Sequence, residues 1–439
     1  MHTLEQLKSG QLTGLKRVRI RENLTEFPEE LFSLSETLEE LDLSENQLSH
    51  VPENIGVLKN LKAIFFFDNK FEHIPTELSD CAQLTVYGFR NNNIREINLS
   101  ALPERLRWLI LTGNNITQMR GDMSHLKNLQ KCMLAGNQLQ YLPESMRHCD
   151  ALELLRISSN QLKNFPTWLL SMPRLSWLAY AGNQFNKVTP ANAESIAKIH
   201  WESLVIKHEL GQGASGVVYK ATLPATDKIR NDVAVKVFKS SMTSDGSPLD
   251  ERNANIAVGS HSNTVSVIGE IADHPEKKQG LVLDLIPANF ENMSGPPSLE
   301  SCTRDTYVES RQFRLPELIN IATGMARFAL HCHKQGVLHG DLYPHNTLVD
   351  DEGNCLVSDF GAATRFDSTD KTLAEGLQSI EVRAWACALE DMLDRLHKQD
   401  LHDNNSVVTS LTALKQSCFA ENPASRPDFY RIVTHLEQL

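Results

Sequence analysis

The sequence predicts an α/β solenoid over residues 1–186, a connector at 187–202 and a second, non-repetitive domain over 203–439. Two observations carry this division. In the first part an apolar pattern ending in asparagine returns at a fixed interval. Beyond residue 203 it gives way to alternating strand signals, a glycine-rich run, and an Asp-x4-Asn pair followed by a further aspartate. Each part is long enough to bury a core of its own.

In the first part, Leu38, Leu41, Leu43, Asn46 and Leu48 match L-x-x-L-x-L-x-x-N-x-L, the pattern of leucine-rich repeats. The pattern recurs with its asparagine at 69, 92, 114, 137, 160 and 183, at intervals of 22 or 23 residues. Leu15, Val18, Ile20 and Asn23 form an eighth, irregular copy, as expected of a unit that caps the exposed end of a stacked core. One unit cannot bury its own apolar face, so units stack into a curved solenoid. The asparagine amides are expected to satisfy backbone groups at each turn. Prolines 28, 52, 75, 143 and 166 are expected to set the return segments.

The non-consensus strand positions should face the concave side, by alternation. They place Phe65, Phe67, Trp108, Ile110 and Met133 there, with Trp177 in the last copy. A stripe this apolar on a solvent face reads as the surface for a protein partner or substrate. Trp177 is equally well suited to packing on the domain that follows.

Net charge is −12, against a nucleic-acid partner. The local run Lys16, Arg17, Arg19 and Arg21 reads as charge on a solvated strand face. Apolar runs such as 64–67 are far shorter than a membrane span, and the first residues lack the form of a signal peptide. The eight cysteines include no C-x-x-C pair, which speaks against zinc and for reduced thiols in a cytoplasmic protein.

In the second part, Gly211-Gln212-Gly213-Ala214-Ser215-Gly216-Val217-Val218 fits G-x-G-x-x-G-x-V, where glycines let backbone approach phosphates. Val233-Ala234-Val235-Lys236 follows and reads as a strand presenting one lysine. Then come His339-Gly340-Asp341 through Asn346, and Asp359-Phe360-Gly361. Each motif alone is weak. The order and spacing of all four are specific.

Together they resemble the eukaryotic-type protein kinase family over roughly residues 203–439, with support from Leu318–Ala322 and from Asn422 to Pro427. The resemblance implies an α+β two-lobed fold, with a small lobe over about 203–286 and a large one over about 287–439. It implies ATP and Mg2+ as cofactors. The glycine loop (Gly211, Gln212, Gly213, Ala214, Ser215, Gly216) would cover the phosphates. Lys236 would hold the α- and β-phosphates, paired with Glu251, or else with Asp250 or Glu270. Val218, Ala234 and Leu348 would enclose adenine, with the backbone of Asp284 and Leu285 beside it. Asn346 and Asp359 would bind magnesium, and Asp341 would receive or orient the substrate hydroxyl.

The sequence departs from the family at several points. The arginine before the catalytic aspartate is Gly340, which implies activation without a phosphorylated activation loop. The lysine two residues after that aspartate is Tyr343, and His345 stands four after it. The segment from Asp359 to the next helix, taken to begin at Glu381, is short and has no A-P-E motif, so Arg426 lacks its family partner. Thr364, Ser368, Thr369 and Thr372 in this segment are candidate autophosphorylation sites. Three readings stay open: a protein kinase with serine/threonine acceptors by default; a pseudokinase or nucleotide-binding scaffold signalling through the repeats; and a small-molecule kinase.

Overall fold

The computed structural model describes residues 1–186, 196–213, 215–223, 232–239, 243 and 245–439. They group into two compact units: Met1–Pro166 with Asn183–Phe185, and Thr167–Gly182 with Asn186–Leu439. The grouping differs from the sequence division at 186/187, since Thr167–Gly182 and Asn186 gather with the second unit.

In the first unit, strands of three residues recur once per repeat, from Arg17–Arg19 and Glu40–Asp42 to Lys131–Met133 and Leu154–Arg156. They pair in parallel, each register advancing by one repeat: Leu41 lies opposite Ile64, Ile64 opposite Tyr87, and Tyr87 opposite Leu109. The consensus side chains between them are fully buried, among them Leu41, Ile64, Phe66, Phe71, Phe89 and Leu109. The return segments Glu29–Leu34, Glu53–Val57, Thr76–Asp80 and Glu144–His148 are 3-10 helices, each directly preceded by a proline, at 28, 52, 75 and 143. A proline there fixes φ where the chain turns into the helix. The neighbouring repeats instead pair Glu96–Asn98 with Gln118–Arg120.

The asparagines form the ladder. Asn92 donates to Phe66 O (2.8 Å) and accepts from Phe71 N (2.9 Å); Asn137 does the same with Leu111 O and Ile116 N, both at 3.0 Å. Each therefore ties its own turn to the preceding coil. The residue just before each ladder asparagine has positive φ: Glu45, Asp68, Asn91 and Ser159 lie at 53° to 58°, and the others in this position are glycines 113, 136 and 182. Substituting Asn92 by alanine strands a buried carbonyl and a buried N–H. At roughly 1–3 kcal/mol for each such group, the loss of stability should be about 2–6 kcal/mol, read by denaturant unfolding of the whole chain.

The N-terminal end is closed by a helix, Leu4–Lys8, whose capping box joins Thr3 and Gln6, and by a bridge between His2 and Ile20. The basic run is neutralised across the strands: Lys16 meets Glu39, Arg17 meets Glu40 and Arg19 meets Asp42. It is a set of cross-repeat ion pairs rather than a free patch.

The concave residues are more covered than alternation suggested. Phe65, Phe67, Trp108 and Met133 are half-buried, and Ile110 is only 5% exposed. Ile110 lies between Gly88 and Met133 in the strand register, so it is a packing residue and its assignment to a partner surface is corrected. The rings pack on one another and carry cations: Phe65 against Phe67 at 5.3 Å, Arg90 over Phe67 at 5.0 Å, and Lys131 over Trp108 at 4.5 Å. Gly88 makes the room, because a Cβ there would fall 2.6 Å from the Phe65 ring and 2.8 Å from that of Phe67.

The second unit contains a mainly antiparallel sheet in which Val205–Gln212, Gly216–Thr222, Asp232–Phe238, Gly280–Asp284 and Val267–Ala272 are successive neighbours. Its core side chains Ala221, Val233, Val235 and Val282 are fully buried. Helix Pro248–Val258 follows the lysine strand. Beyond Asp284 the chain becomes largely helical, built on Leu315–Lys334 and Lys371–Leu393, with Trp385 donating to Ala322 O at 2.9 Å between them.

One boundary is corrected. The helix after Asp359-Phe360-Gly361 begins at Lys371, not near Glu381, because Asp370 accepts from Leu373 N and caps it there. The intervening segment is shorter still than the sequence suggested.

Candidate functional site

The glycine run joins Val205–Gln212 to Gly216–Thr222 as a hairpin, closed by Gly213 N donating to Gly216 O at 2.9 Å. The three glycines differ in kind. A Cβ on Gly216 would lie 2.7 Å from Val237 O, so that glycine serves strand packing. Around Gly211 and Gly213 a Cβ would meet nothing within 4 Å, which leaves open backbone suited to phosphate. Gln212 lies in the strand facing Val217, and Ser215 is buried with its carbonyl accepting from Lys239 N. Ala214 lies outside the described residues.

Lys236 is held opposite Val218 by the strand register, with Ala234 buried two residues before it. Its Nζ forms an ion pair with Glu251 on the helix Pro248–Val258. Of the three carboxylates that the sequence offered, Glu251 is thus the one paired with Lys236, and Glu270 is paired instead with Arg252. Burial of Lys236 works against its charge. The carboxylates of Glu251 and Asp359 outweigh that cost and hold its pKa above the ordinary lysine value. Asp359, an exposed residue at φ 56°, thus acts on the lysine through space. The neighbouring Phe360 is buried against His339 (5.1 Å between centroids) and Phe328 (6.0 Å).

The catalytic-loop region is ordered from several sides. Asn346 Nδ2 donates to Asp341 Oδ2 at 2.8 Å and to Asp341 O at 3.0 Å, which leaves the amide oxygen as the atom suited to a cation. Asn346 and Asp359 together offer the hard oxygen donors that magnesium prefers. The Gly340 N–H donates to Glu381 Oε1 at 2.8 Å, and the other oxygen of Glu381 meets His333 at 2.7 Å. His345 is clamped by Asp305 through its backbone N–H (2.7 Å) and Nδ1 (2.8 Å). Burial lowers the pKa of this imidazole. The bond to Asp305 and the fields of Asp305, Asp341 and Asp359 more than reverse that, so it holds its proton above the usual histidine range.

Leu348 is half-buried on Thr347–Val349. Asp284, which ends the strand Gly280–Asp284, and Leu285 after it line a hollow of about 370 Å³ with Phe290 and Leu356. The Asp284 N–H already donates to Ser266 O at 3.0 Å, so that amide is not a donor for a ligand. Of the candidate phosphorylation sites, Thr364 is fully buried, whereas Ser368, Thr369 and Thr372 are exposed, Thr369 donating to Asp367 at 2.7 Å. The bonding roles of Asp305 and Glu381 escaped the sequence reading, which took Glu381 only as the start of a helix. Neither belongs to a local motif; both act through loop residues 40 and 41 positions away.

The family model for protein tyrosine and serine/threonine kinases matches residues 204–400. Leucine-rich-repeat models match residues 104–162 and 37–58. The chain carries a protein kinase domain behind leucine-rich repeats. It is 30% identical over 196 residues to the proto-oncogene serine/threonine-protein kinase mos of Mus musculus, covering 42% of this chain and 55% of that relative. It is 26% identical over 289 residues to the probable serine/threonine-protein kinase gdt4 of Dictyostelium discoideum, covering 55% and 16% respectively. A leaf rust 10 disease-resistance locus receptor-like protein kinase-like 2.8 of Arabidopsis thaliana is 28% identical over 226 residues, covering 49% and 23%. The chain thus spans about half the length of the mouse relative and less than a quarter of the other two. Among the described residues of this kinase-domain chain, no helix is long and apolar enough to cross a membrane.

Proposed function

We propose that the chain is an ATP- and magnesium-dependent protein kinase that phosphorylates serine or threonine hydroxyls, with repeats that hold a protein partner or substrate. The observation that carries this reading is the Lys236–Glu251 ion pair standing in the field of Asp359. It joins the lysine strand, the helix behind it and the magnesium-ligand segment in one charged cluster.

In this reading the glycine-loop backbone and Lys236 hold the nucleotide phosphates, while Val218, Ala234 and Leu348 enclose the base. Asn346 and Asp359 would hold magnesium, which when bound would supply positive charge against the phosphates. Asp341, oriented by Asn346, accepts the proton of the acceptor hydroxyl. The eight cysteines are free, buried thiols, in keeping with a cytoplasmic setting. Serine/threonine specificity is testable by incubating the full chain with γ-labelled ATP, magnesium and a generic protein substrate, then hydrolysing the product. Phosphoserine or phosphothreonine is expected; phosphotyrosine alone, or label confined to small molecules, contradicts it.

The repeats would bring the substrate to high effective concentration. The half-buried aromatic stripe of Phe65, Phe67 and Trp108, bordered by Met133, is the proposed contact. Replacing these three aromatic residues by alanine should weaken capture of a protein retained by the wild-type chain by at least about tenfold, because buried aromatic anchors carry most of an interface's energy. Unchanged capture by the triple variant rules this surface out.

A further inference from the structure

The departures from the family pattern at Gly340 and Tyr343, and the arginine Arg426 whose family partner is missing, meet on one short segment within the second unit, residues 170–180. Trp177, itself 1% exposed, stacks face to face on Tyr343 with centroids 4.1 Å apart and planes 5° apart. Its Nε1 donates to Leu342 O at 3.4 Å. These two contacts fall on the residues directly after Asp341. On the other side of Asp341, Gly340 has φ +72°, and a Cβ there would lie 2.6 Å from Leu178 O and 2.7 Å from Ala362 O. Any side chain at 340, an arginine above all, would displace the segment.

The contacts extend beyond the loop. Tyr180 N donates to the buried Thr364 Oγ1 at 3.2 Å, which uses a hydroxyl of the segment following Asp359. Arg426, whose family partner is missing, donates to Pro173 O at 2.6 Å and to Ser379 O at 2.9 Å. Arg383 donates to Arg174 O at 3.0 Å. Gly376 leaves room for Leu170, whose side chain a Cβ would meet at 2.7 Å.

Resting on the kinase reading above, we propose that this part of the last repeat is a built-in positioning element for the catalytic loop, with Trp177 as its central positioning residue. It occupies both flanks of Asp341 and the hydroxyl of Thr364, so the loop is ordered without a phosphate on the segment after Asp359. Tyr343 is in this account a docking plate for Trp177 and not a failed phosphate-binding lysine. In that reading the phosphates are held by the glycine loop and Lys236, whereas the contacts of this segment named above fall on the catalytic loop, on Ala362 and Thr364 after Asp359, on the helix Lys371–Leu393 and on Arg426. Loosening it lowers turnover and spares nucleotide affinity.

The test uses the whole 439-residue chain. Trp177→Ala should lower kcat about a hundredfold, the scale of a misplacement near 1 Å, with KM for ATP within about twofold. Trp177→Phe keeps a stacking ring and should recover kcat to within about fivefold of wild type. Hydrogen exchange at the amides of 340–346 should quicken by about tenfold or more in the alanine variant and not in the phenylalanine variant. Tyr343→Lys, which restores the family residue, should reduce transfer. The proposal is overturned if Trp177→Ala leaves kcat and loop exchange unchanged, or if Tyr343→Lys raises kcat. Should the alanine variant not fold, the phenylalanine and Tyr343→Lys variants decide by the same criteria. Should wild type transfer no phosphate, the kinase reading falls by itself and the exchange comparison alone decides: a loop loosened by alanine but not phenylalanine sustains the positioning role, and unchanged exchange removes it.

Discussion

Asp341→Asn should abolish phosphoryl transfer to within the background while nucleotide still binds. The carboxylate is held by Asn346 Nδ2 at 2.8 Å, and asparagine is close enough in shape to keep that place. What it loses is basicity and negative charge, and the loss of a positioned proton acceptor costs about 10²–10⁴ in rate. The nucleotide-dependent rise in melting temperature should survive, because the proposed nucleotide contacts lie on Lys236 and the glycine loop. Asp359→Asn should behave differently. It removes a proposed magnesium ligand and a carboxylate that supports the charge of Lys236, so the magnesium-dependent part of that rise should shrink as well. Loss of nucleotide stabilisation in Asp341→Asn would mean that Asp341 holds the ligand rather than acting on the acceptor.

Lys236→Met should impair both chemistry and folding, by different amounts and for separable reasons. Its Glu251 partner has a side chain only 1% exposed. Removing the lysine strands a buried carboxylate, a change that costs about 3–5 kcal/mol where one partner of a buried pair is deleted. Transfer should fall at least about a hundredfold, the scale of losing one fixed electrostatic contact to the reacting group. The double variant Lys236→Met with Glu251→Leu removes both charges and should regain much of the stability, since a buried ion pair and an apolar replacement of similar size are often near equal. Its activity should stay lost. Recovery of activity in the double variant would contradict the role given to Lys236. Denaturant unfolding and initial-rate transfer, measured on the same preparations, separate the two effects.

Local periodicity made the repeats legible. A ladder residue such as Asn92 bonds coils next to its own, so the interval between asparagines already carries the geometry. The kinase motifs were legible for a similar reason, because each is a short run whose backbone shape its own residues set. What stayed hidden depends on contacts between distant positions. Nothing near Gly340 in sequence announces Glu381, and nothing near His345 announces Asp305. The dual character of Trp177, concave repeat residue or packing residue, could not be divided by alternation, since its contact lies 165 positions away at Leu342. The run from Glu381 to Trp385 resembles the start of a helix in the family but lies inside Lys371–Leu393, whose start is set by the cap at Asp370. Ile110 was misjudged because alternation assigns a face and does not say how far flanking side chains cover it.

The most direct test of this account is label transfer from γ-labelled ATP with magnesium, by the intact 439-residue chain, to itself and to a generic protein substrate, with Asp341→Asn run alongside. Label on wild type and none on the variant is the predicted result. No label on either protein, with ATP binding still measurable, would contradict it and leave a nucleotide-binding scaffold whose repeats carry the signal.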